Sequence, residues 1–327
     1  MSECIASIII ATRNRLGMLC ESLSRIRQQV GYERYEVLVG NDGGRERLEQ
    51  ELGRKYPEIK FIDYNMNRGP AAVRNELFER ARGEYVFSLD DDAWYLQEDA
   101  IQRAIQFLEG HPEAGVLVFS LQLSGGLRVG RSPSEKQLFE TVDVLEGANA
   151  IRRKLFLGEP LYDADDFFIG EGKTLAMKCL KKGFQIVHTG NISVWHERSV
   201  AERNNGFRYR CMIANQFSFY LKFFPLRQAL ICVLRSLRID GANAFEMGLF
   251  DLFCRAVFDF IVRIPALLRR RSPVSDEVFE KYETLAVSGR LDRPYDVIRD
   301  AWNERCGSKK TAYVSQPKRV GSEPRIR

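Results

Sequence analysis

Asp90, Asp91 and Asp92 stand in a row directly after the apolar run 85–89. Like charges at that spacing repel and raise one another's pKa. A divalent cation removes that cost, and oxygen-rich clusters suit Mg2+ or Mn2+, held through one or two carboxylates and the phosphates of a substrate. The competing reading is an exposed acidic turn or a helix cap, which Asp also suits. Asp42 follows another apolar run and precedes Gly43-Gly44. A carboxylate there can accept from a nucleobase N–H or from ribose hydroxyls, or it can serve the turn alone. Asn67 and Arg68, with Arg74 one turn further on, gather donors near an expected helix N-terminus, where anions are favoured. Thr12, Arg13 and Arg15 close a third apolar run. Any single Arg among these can equally be a solvated surface charge.

The elements that must position these residues alternate. Residues 5–11 are a short, continuously apolar run, which reads as a strand buried on both faces. Leu16, Leu19, Leu23 and Ile26 then recur at helical spacing. Strands are expected at 37–39, 61–62, 85–89 and 116–121, and helices at 71–81, with Pro70 near the first position, and at 101–108. Such alternation implies a mostly parallel sheet covered on both faces. Ligands bind beyond the carboxyl ends of the strands in such sheets, so Thr12-Arg13-Asn14-Arg15, Asn41-Asp42-Gly43-Gly44 and Asp90-Asp91-Asp92 should converge on one edge. Residues 125–196 are mixed, with a helix near 174–182. Residues 207–268 read as helices, and Arg269-Arg270-Arg271-Ser272-Pro273 as a boundary.

In their order, Ile-Ile-Ile-Ala-Thr-Arg-Asn-Arg, Asn-Asp-Gly-Gly, Asn-x-Gly-x-x-x-x-Arg-Asn and Leu-Asp-Asp-Asp-Ala resemble the family 2 glycosyltransferases of the GT-A fold. The similarity continues through Gly147-Ala148-Asn149-Ala150-Ile151-Arg152-Arg153, Gly170-Glu171-Gly172 and Val194-Trp195-His196, and covers about residues 4–200. Each motif alone is weak; their order and spacing together are specific. The resemblance implies an α/β GT-A nucleotide-sugar-binding fold, with a C-terminal helical region added. Expected domains are 1–200 (a nucleotide-binding half 1–121 and an acceptor half 122–200), 201–300 helical, and a basic, disordered tail 301–327.

The resemblance further implies inverting, metal-assisted transfer of a sugar from a nucleoside diphosphate sugar (UDP, dTDP or GDP) to a hydroxyl acceptor, in the manner of bacterial cell-surface glycan enzymes. The acceptor is a glycan, a lipid-linked species or a small molecule. Thr12, Arg13, Arg15, Asp42, Asn67, Arg68, Arg74, Asp90 and Asp91 become donor-binding candidates. Asp92 and His196 become ligands of Mn2+ or Mg2+, and Asn149 and Arg152 acceptor contacts. One departure stands out: the family usually has Glu-Asp where this chain has Glu171-Gly172, and that Asp is the usual base. A proton acceptor is still needed. Glu171 is the first candidate, with Asp165 and Asp166 in reserve and Asp163 structural.

Composition narrows the alternatives. The net charge of +5 is too modest to argue for nucleic acid, and much of it lies in the last twenty residues. Seven scattered cysteines with no CxxC spacing fit reduced thiols in the cytoplasm. The run Ile8-Ile9-Ile10 is too short for a signal peptide, and none is expected. Three other classes compete. A dinucleotide dehydrogenase needs a glycine fingerprint where Thr12-Arg13-Asn14-Arg15 stands. A sugar nucleotidyltransferase is expected to carry an early Gly-rich phosphate loop. A non-catalytic nucleotide- or glycan-binding relative is motivated by Gly172. Phe217, Phe219, Tyr220, Phe223 and Phe224, near Arg227, Arg235 and Arg238, suggest either a packed helical subdomain or peripheral contact with the inner face of a membrane.

Overall fold

The computed structural model describes residues 4–124, 128–129, 138–163, 165, 169–197, 204–288 and 291. Asp166 and the basic tail lie outside them. In chain order the elements are β1 (Ala6–Thr12), α1 (Leu16–Ile26), β2 (Tyr35–Asn41), α2 (Leu48–Leu52), β3 (Lys60–Asp63), α3 (Pro70–Arg80), β4 (Tyr85–Asp90), β5 (Ala93–Tyr95), α4 (Ala100–Gly110), β6 (Ala114–Leu123), β7 (Arg128–Val129), β8 (Leu138–Glu140), β9 (Ala148–Arg152), α5 (Glu171–Lys181), β10 (Gln185–His196), α6 (Asn205–Phe223), α7 (Leu226–Glu246), α8 (Phe250–Arg269) and α9 (Asp276–Ser288).

One sheet carries all the strands, with the path β3-β2-β1-β4-β9-β6-β10-β5; β7 pairs with β6 and β8 with β10. Strands β1 to β4 run parallel to one another. Ile8, Ile9 and Ile10 are consecutive and all fully buried, so both faces of β1 are covered. That agrees with the apolar runs and with a crossover sheet. Short strands β5, β7 and β8 pair antiparallel, and so does β9, which enters the middle of the sheet antiparallel to both β4 and β6. Its direction sets the site: Ala148 stands beside Leu89 at the carboxyl end of β4, whereas Arg152 stands beside Tyr85 at the opposite end.

The helical region is tied to the sheet through α6, which is buried on two sides. Tyr209, Ile213, Phe217 and Leu221 pack with Phe253 and Phe260 of α8 in a separate core. Phe219, Phe223 and Phe224 join the main core beside Tyr282 of α9. The aromatic crowding around residues 217–224 is therefore the signature of a helix serving two cores. Each such side chain contributes about 1.5–3 kcal/mol when fully buried. A different surface is left apolar and exposed. Ile231 and Leu234 lie in one row along α7 with Arg227 and Arg238 at its ends, beside exposed Leu226 and Leu230, and Phe258, Ile261 and Val262 are exposed on α8. Among the described residues no helix is long and apolar enough to cross a membrane.

Candidate active site

Parallel pairing places Ala11 of β1 beside Asp90 of β4, and Thr12 beside Asn41 of β2. The three polar strand ends therefore meet at one edge. Thr12 Oγ1 donates to Asp91 at 2.6 Å, and the Asp42 amide donates to the Thr12 carbonyl at 2.8 Å. Asn14, at φ 57°, accepts the amide of Arg45 and so ties the first two loops together. After the acidic run, β5 turns back and pairs with the end of β10, Ala93 beside His196. The Glu197 amide donates to the Asp92 carbonyl at 2.8 Å. This pairing brings a residue more than a hundred positions downstream against the acidic run.

Asp90, Asp92 and His196 present ligand atoms that all lie within 4.8 Å of one another. His196 Nε2 is 3.0 Å from Asp92 Oδ1 and 3.8 Å from Asp90 Oδ2. Two carboxylates and an imidazole form a mixed O/N set that suits Mn2+, and Mg2+ less well. Two arginines offset the acidic charge. Arg15 Nη1 reaches Asp92 at 2.6 Å and Asp91 at 3.2 Å, while buried Arg74 pairs with Asp90 and lies 3.8 Å from Glu171. Burial works against both guanidinium charges, but the carboxylates (Asp91 first for Arg15, Asp90 first for Arg74) outweigh it and hold both pKa values above the usual range. Asp91 goes the other way. Burial first, and Asp92 second, push its carboxyl up to about 6, against the opposing pull of Arg15 and Thr12.

Asp42 is buried, and its carboxylate accepts the amides of Arg68 (2.6 Å) and Gly69 (3.0 Å) at the start of α3. It thus closes the loop before α3 from another strand, with lone pairs left for a further donor. Arg68 turns its guanidinium to Glu76 at 2.8 Å and over the Tyr64 ring. Asn67 is exposed and accepts from Gly69, and Arg13 is exposed.

The acceptor and base candidates separate. Asn149 is buried on β9 and donates to the carbonyls of Leu145 and Glu146. Arg152 is not brought to this edge, because antiparallel β9 carries it to the far end of the sheet. There its guanidinium donates to the carbonyls of Leu108 (2.5 Å), Ala114 (3.3 Å) and His111 (3.3 Å). Glu171 opens α5 and is 3% exposed, beside Arg74. Asp165 is exposed and paired with Arg270, and Asp163 with Lys222. Ahead of α5 the backbone is strained: Ile169 has φ 65° and Gly170 φ 101°, and a β-branched residue at positive φ is rare. Asn215 of α6 donates to the Ile169 carbonyl at 2.8 Å, and Arg263 of α8 donates to Asn215 at 3.0 Å.

Glu146 was not anticipated at the site, and Gly147 was read only as the first residue of a family-like motif. Gly147 lies directly against the Asp90 carboxylate. Glu146, just before it, accepts the Gly172 amide at 2.8 Å. The trace of Glu146 in the sequence is the glycine at position 172, where a carboxylate is expected.

The sequence profile of glycosyl transferase family 2 matches residues 7–169, the span that runs from β1 through the acidic run to the turn before α5. Residues 7–169 belong to glycosyl transferase family 2. The chain is 35% identical over 91 residues to YwdF, an uncharacterized glycosyltransferase of Bacillus subtilis; the match covers 27% of this chain and 33% of that protein. It is 26% identical over 149 residues to the poly-beta-1,6-N-acetyl-D-glucosamine synthase of Staphylococcus epidermidis, covering 45% and 34%. The chain thus matches about a third of the length of these relatives. Among solved structures, TarS 1-349 of S. aureus in complex with UDP is similar with a TM-score of 0.59 at 18% identity, covering 93% of this chain and 92% of that one. GalNAc-T7 with UDP, GalNAc and Mn2+ is similar with a TM-score of 0.56 at 14% identity, covering 68% and 48%. Likeness at such identity is likeness of fold, and the fold is GT-A.

Proposed function

We propose that the protein is an inverting, metal-assisted glycosyltransferase that moves a sugar from a nucleoside diphosphate sugar to a hydroxyl acceptor. The observation that carries this reading is the Asp90–Asp92–His196 cluster at the carboxyl edge of the sheet, flanked by Arg15 and Arg74. Asp92 and His196, with Asp90, would hold Mn2+ or Mg2+, which when bound offsets the charge growing on a leaving diphosphate. Arg15 and Arg74 add preorganised positive charge at the same edge. Asp42 and Thr12 line the neighbouring strand ends and would orient the nucleoside. Asn149 fixes the backbone that would face the acceptor. Attack from the side opposite the diphosphate inverts the anomeric centre. UDP is the first nucleotide to test, since the TarS and GalNAc-T7 structures contain it.

The test is a thermal-shift titration of UDP, dTDP and GDP with and without Mn2+. A ligand that binds only the folded state stabilises it by about 2.7 kcal/mol at a hundredfold excess over Kd. One nucleotide should give a Mn2+-dependent shift that Asp92→Ala abolishes. A full shift in Asp92→Ala overturns the metal role. Binding without turnover of any donor favours a non-catalytic member of the family.

The exposed row Arg227-Ile231-Leu234-Arg238 on α7 supports peripheral contact with an anionic membrane face. Co-sedimentation with anionic but not neutral vesicles is expected, and Leu234→Glu should weaken it. Equal binding to both vesicle types, or none, removes the proposal.

A further inference from the structure

Gly172 is the second residue of α5, and no side chain fits there. A Cβ at that position would lie 2.6 Å from the Val144 carbonyl oxygen and 2.7 Å from Oε1 of Glu146. The first of these neighbours is backbone and cannot swing aside. The Asp that the resemblance leads one to expect at position 172 is thus excluded by the path of the chain ahead of β9. The same path brings a carboxylate to the place where that Asp would project, because Oε1 of Glu146 accepts the Gly172 amide at 2.8 Å.

We propose that Glu146 is the catalytic base of the transfer, a carboxylate delivered from the loop between β8 and β9 into the space that Gly172 leaves open. This rests on the glycosyltransferase reading above.

Four observations support it. Glu146 is adjacent in sequence to Gly147, which lies against the Asp90 carboxylate, so it stands at the rim of the cation cluster. Its backbone is pinned, since buried Asn149 donates Nδ2 to the carbonyls of Leu145 (2.6 Å) and Glu146 (3.3 Å). Its carboxylate is oriented by one oxygen on the Gly172 amide, while Oε2 has no hydrogen-bond partner among the described residues. Finally, Glu146 is only partly buried and open to an incoming hydroxyl, whereas Glu171 is 3% exposed and committed to buried Arg74.

The step balances without any further reagent. The acceptor O–H gives its proton to Glu146 Oε2. The acceptor oxygen forms a bond to the anomeric carbon while the bond from that carbon to the diphosphate oxygen breaks. The diphosphate departs with the electron pair, and the proton passes from Glu146 to solvent.

The alternative role for Glu146 is that of a cap for α5. Glu146→Gln separates the two, because its amide oxygen can still accept the Gly172 amide but cannot take a proton. The assay follows UDP release from UDP-GlcNAc, UDP-glucose and UDP-galactose with Mn2+, with water as acceptor. Wild type is expected to hydrolyse at least one donor. Glu146→Gln should lose about 100-fold or more in kcat, with KM for the donor and UDP binding within about 3-fold of wild type. In Glu146→Ala, added sodium formate should restore part of the rate, since a small carboxylate replaces a lost base but not a lost cap. A Glu146→Gln enzyme within about 3-fold of wild type in kcat overturns the assignment. So does a wild type that binds a donor with Mn2+ and hydrolyses none. If wild type binds no nucleoside diphosphate at all, the glycosyltransferase reading fails first, and this proposal with it.

Discussion

Replacing Gly147 by Ala would place a carbon no more than 2.5 Å from each of the three atoms of the Asp90 carboxyl group. Non-bonded heavy atoms settle at about 3.5–4.0 Å, so the carboxylate has to retreat by roughly 1 Å or more. Its side chain is 32% exposed and free to swing outward, but it cannot then keep its bond to Arg74. Arg74 is buried, so its charge is left with Glu171 at 3.8 Å as the remaining ion pair. A hydrogen bond to a charged group contributes about 1.5–3 kcal/mol. A loss of about 2 kcal/mol corresponds to a fall in Tm of about 3 °C in a chain of 327 residues. The Asp90–Asp92–His196 cluster loses one carboxylate at the same time, so the proposed Mn2+-dependent nucleotide shift should shrink. Differential scanning fluorimetry with and without UDP and Mn2+ reads both effects. Gly110→Ala, at the end of α4 with nothing within 4 Å of the new carbon, is the matched control. A Gly147→Ala protein whose Tm stays within about 1 °C of wild type and whose Mn2+ response is undiminished refutes the packing of Gly147 on Asp90.

Asp42→Ala leaves the Arg68 amide without its acceptor and the Gly69 amide with Asn67 alone; about 2 kcal/mol should be lost in urea unfolding, and UDP binding with it. Asp91 gives a pH dependence. Its folded-state pKa near 6 stands above the ordinary 3.8, so the folded state prefers the protonated acid. Stability of the cation-free protein from this group is full below about pH 4 and declines as pH rises to about 6, by on the order of 2–3 kcal/mol. Asp91→Asn should flatten that slope in urea titrations from pH 4 to 7, and an unchanged slope refutes the cause. Arg152→Met takes a charged donor from the carbonyls of Leu108, Ala114 and His111, of which Leu108 and His111 keep a backbone donor; a loss of about 2 kcal/mol is expected with the nucleotide shift intact, and selective loss of the nucleotide shift would place Arg152 at the site after all.

The parallel strands β1 to β4 were legible because their signals are local. Ile8-Ile9-Ile10 declares a strand covered on both sides, Pro70 marks the start of α3, and acids that follow buried strands need a reason to be there. The convergence of Thr12, Asp42 and Asp90 needed only the rule that crossover strands run parallel. What could not be read is tertiary. Residues 148–152 carry two alanines, an asparagine and an arginine around a single isoleucine, so nothing in their composition announces the central antiparallel strand. Arg152 accordingly lands at the wrong end of the sheet for an acceptor contact. Ala93-Trp94-Tyr95 is too short for a period, yet its pairing with β10 delivers His196. Glu146 is one acid among many until Gly172, 26 residues away, is seen to leave it room. The aromatic segment of α6 carried a signal that two architectures share, and only the partition of its faces between two cores decides between them.

Ile169 holds a left-handed backbone that its branched side chain resists, and the bond that keeps it there comes from outside the sheet. Asn215 grips the turn, and Arg263 steadies Asn215. The helices beyond residue 204 are therefore tooling for the sheet edge rather than an appendage to it. A truncation that removes α6 and α8 would relax the turn, let the first residues of α5 drift, and loosen the seat of Gly172 against Glu146, although no residue at the edge had been altered.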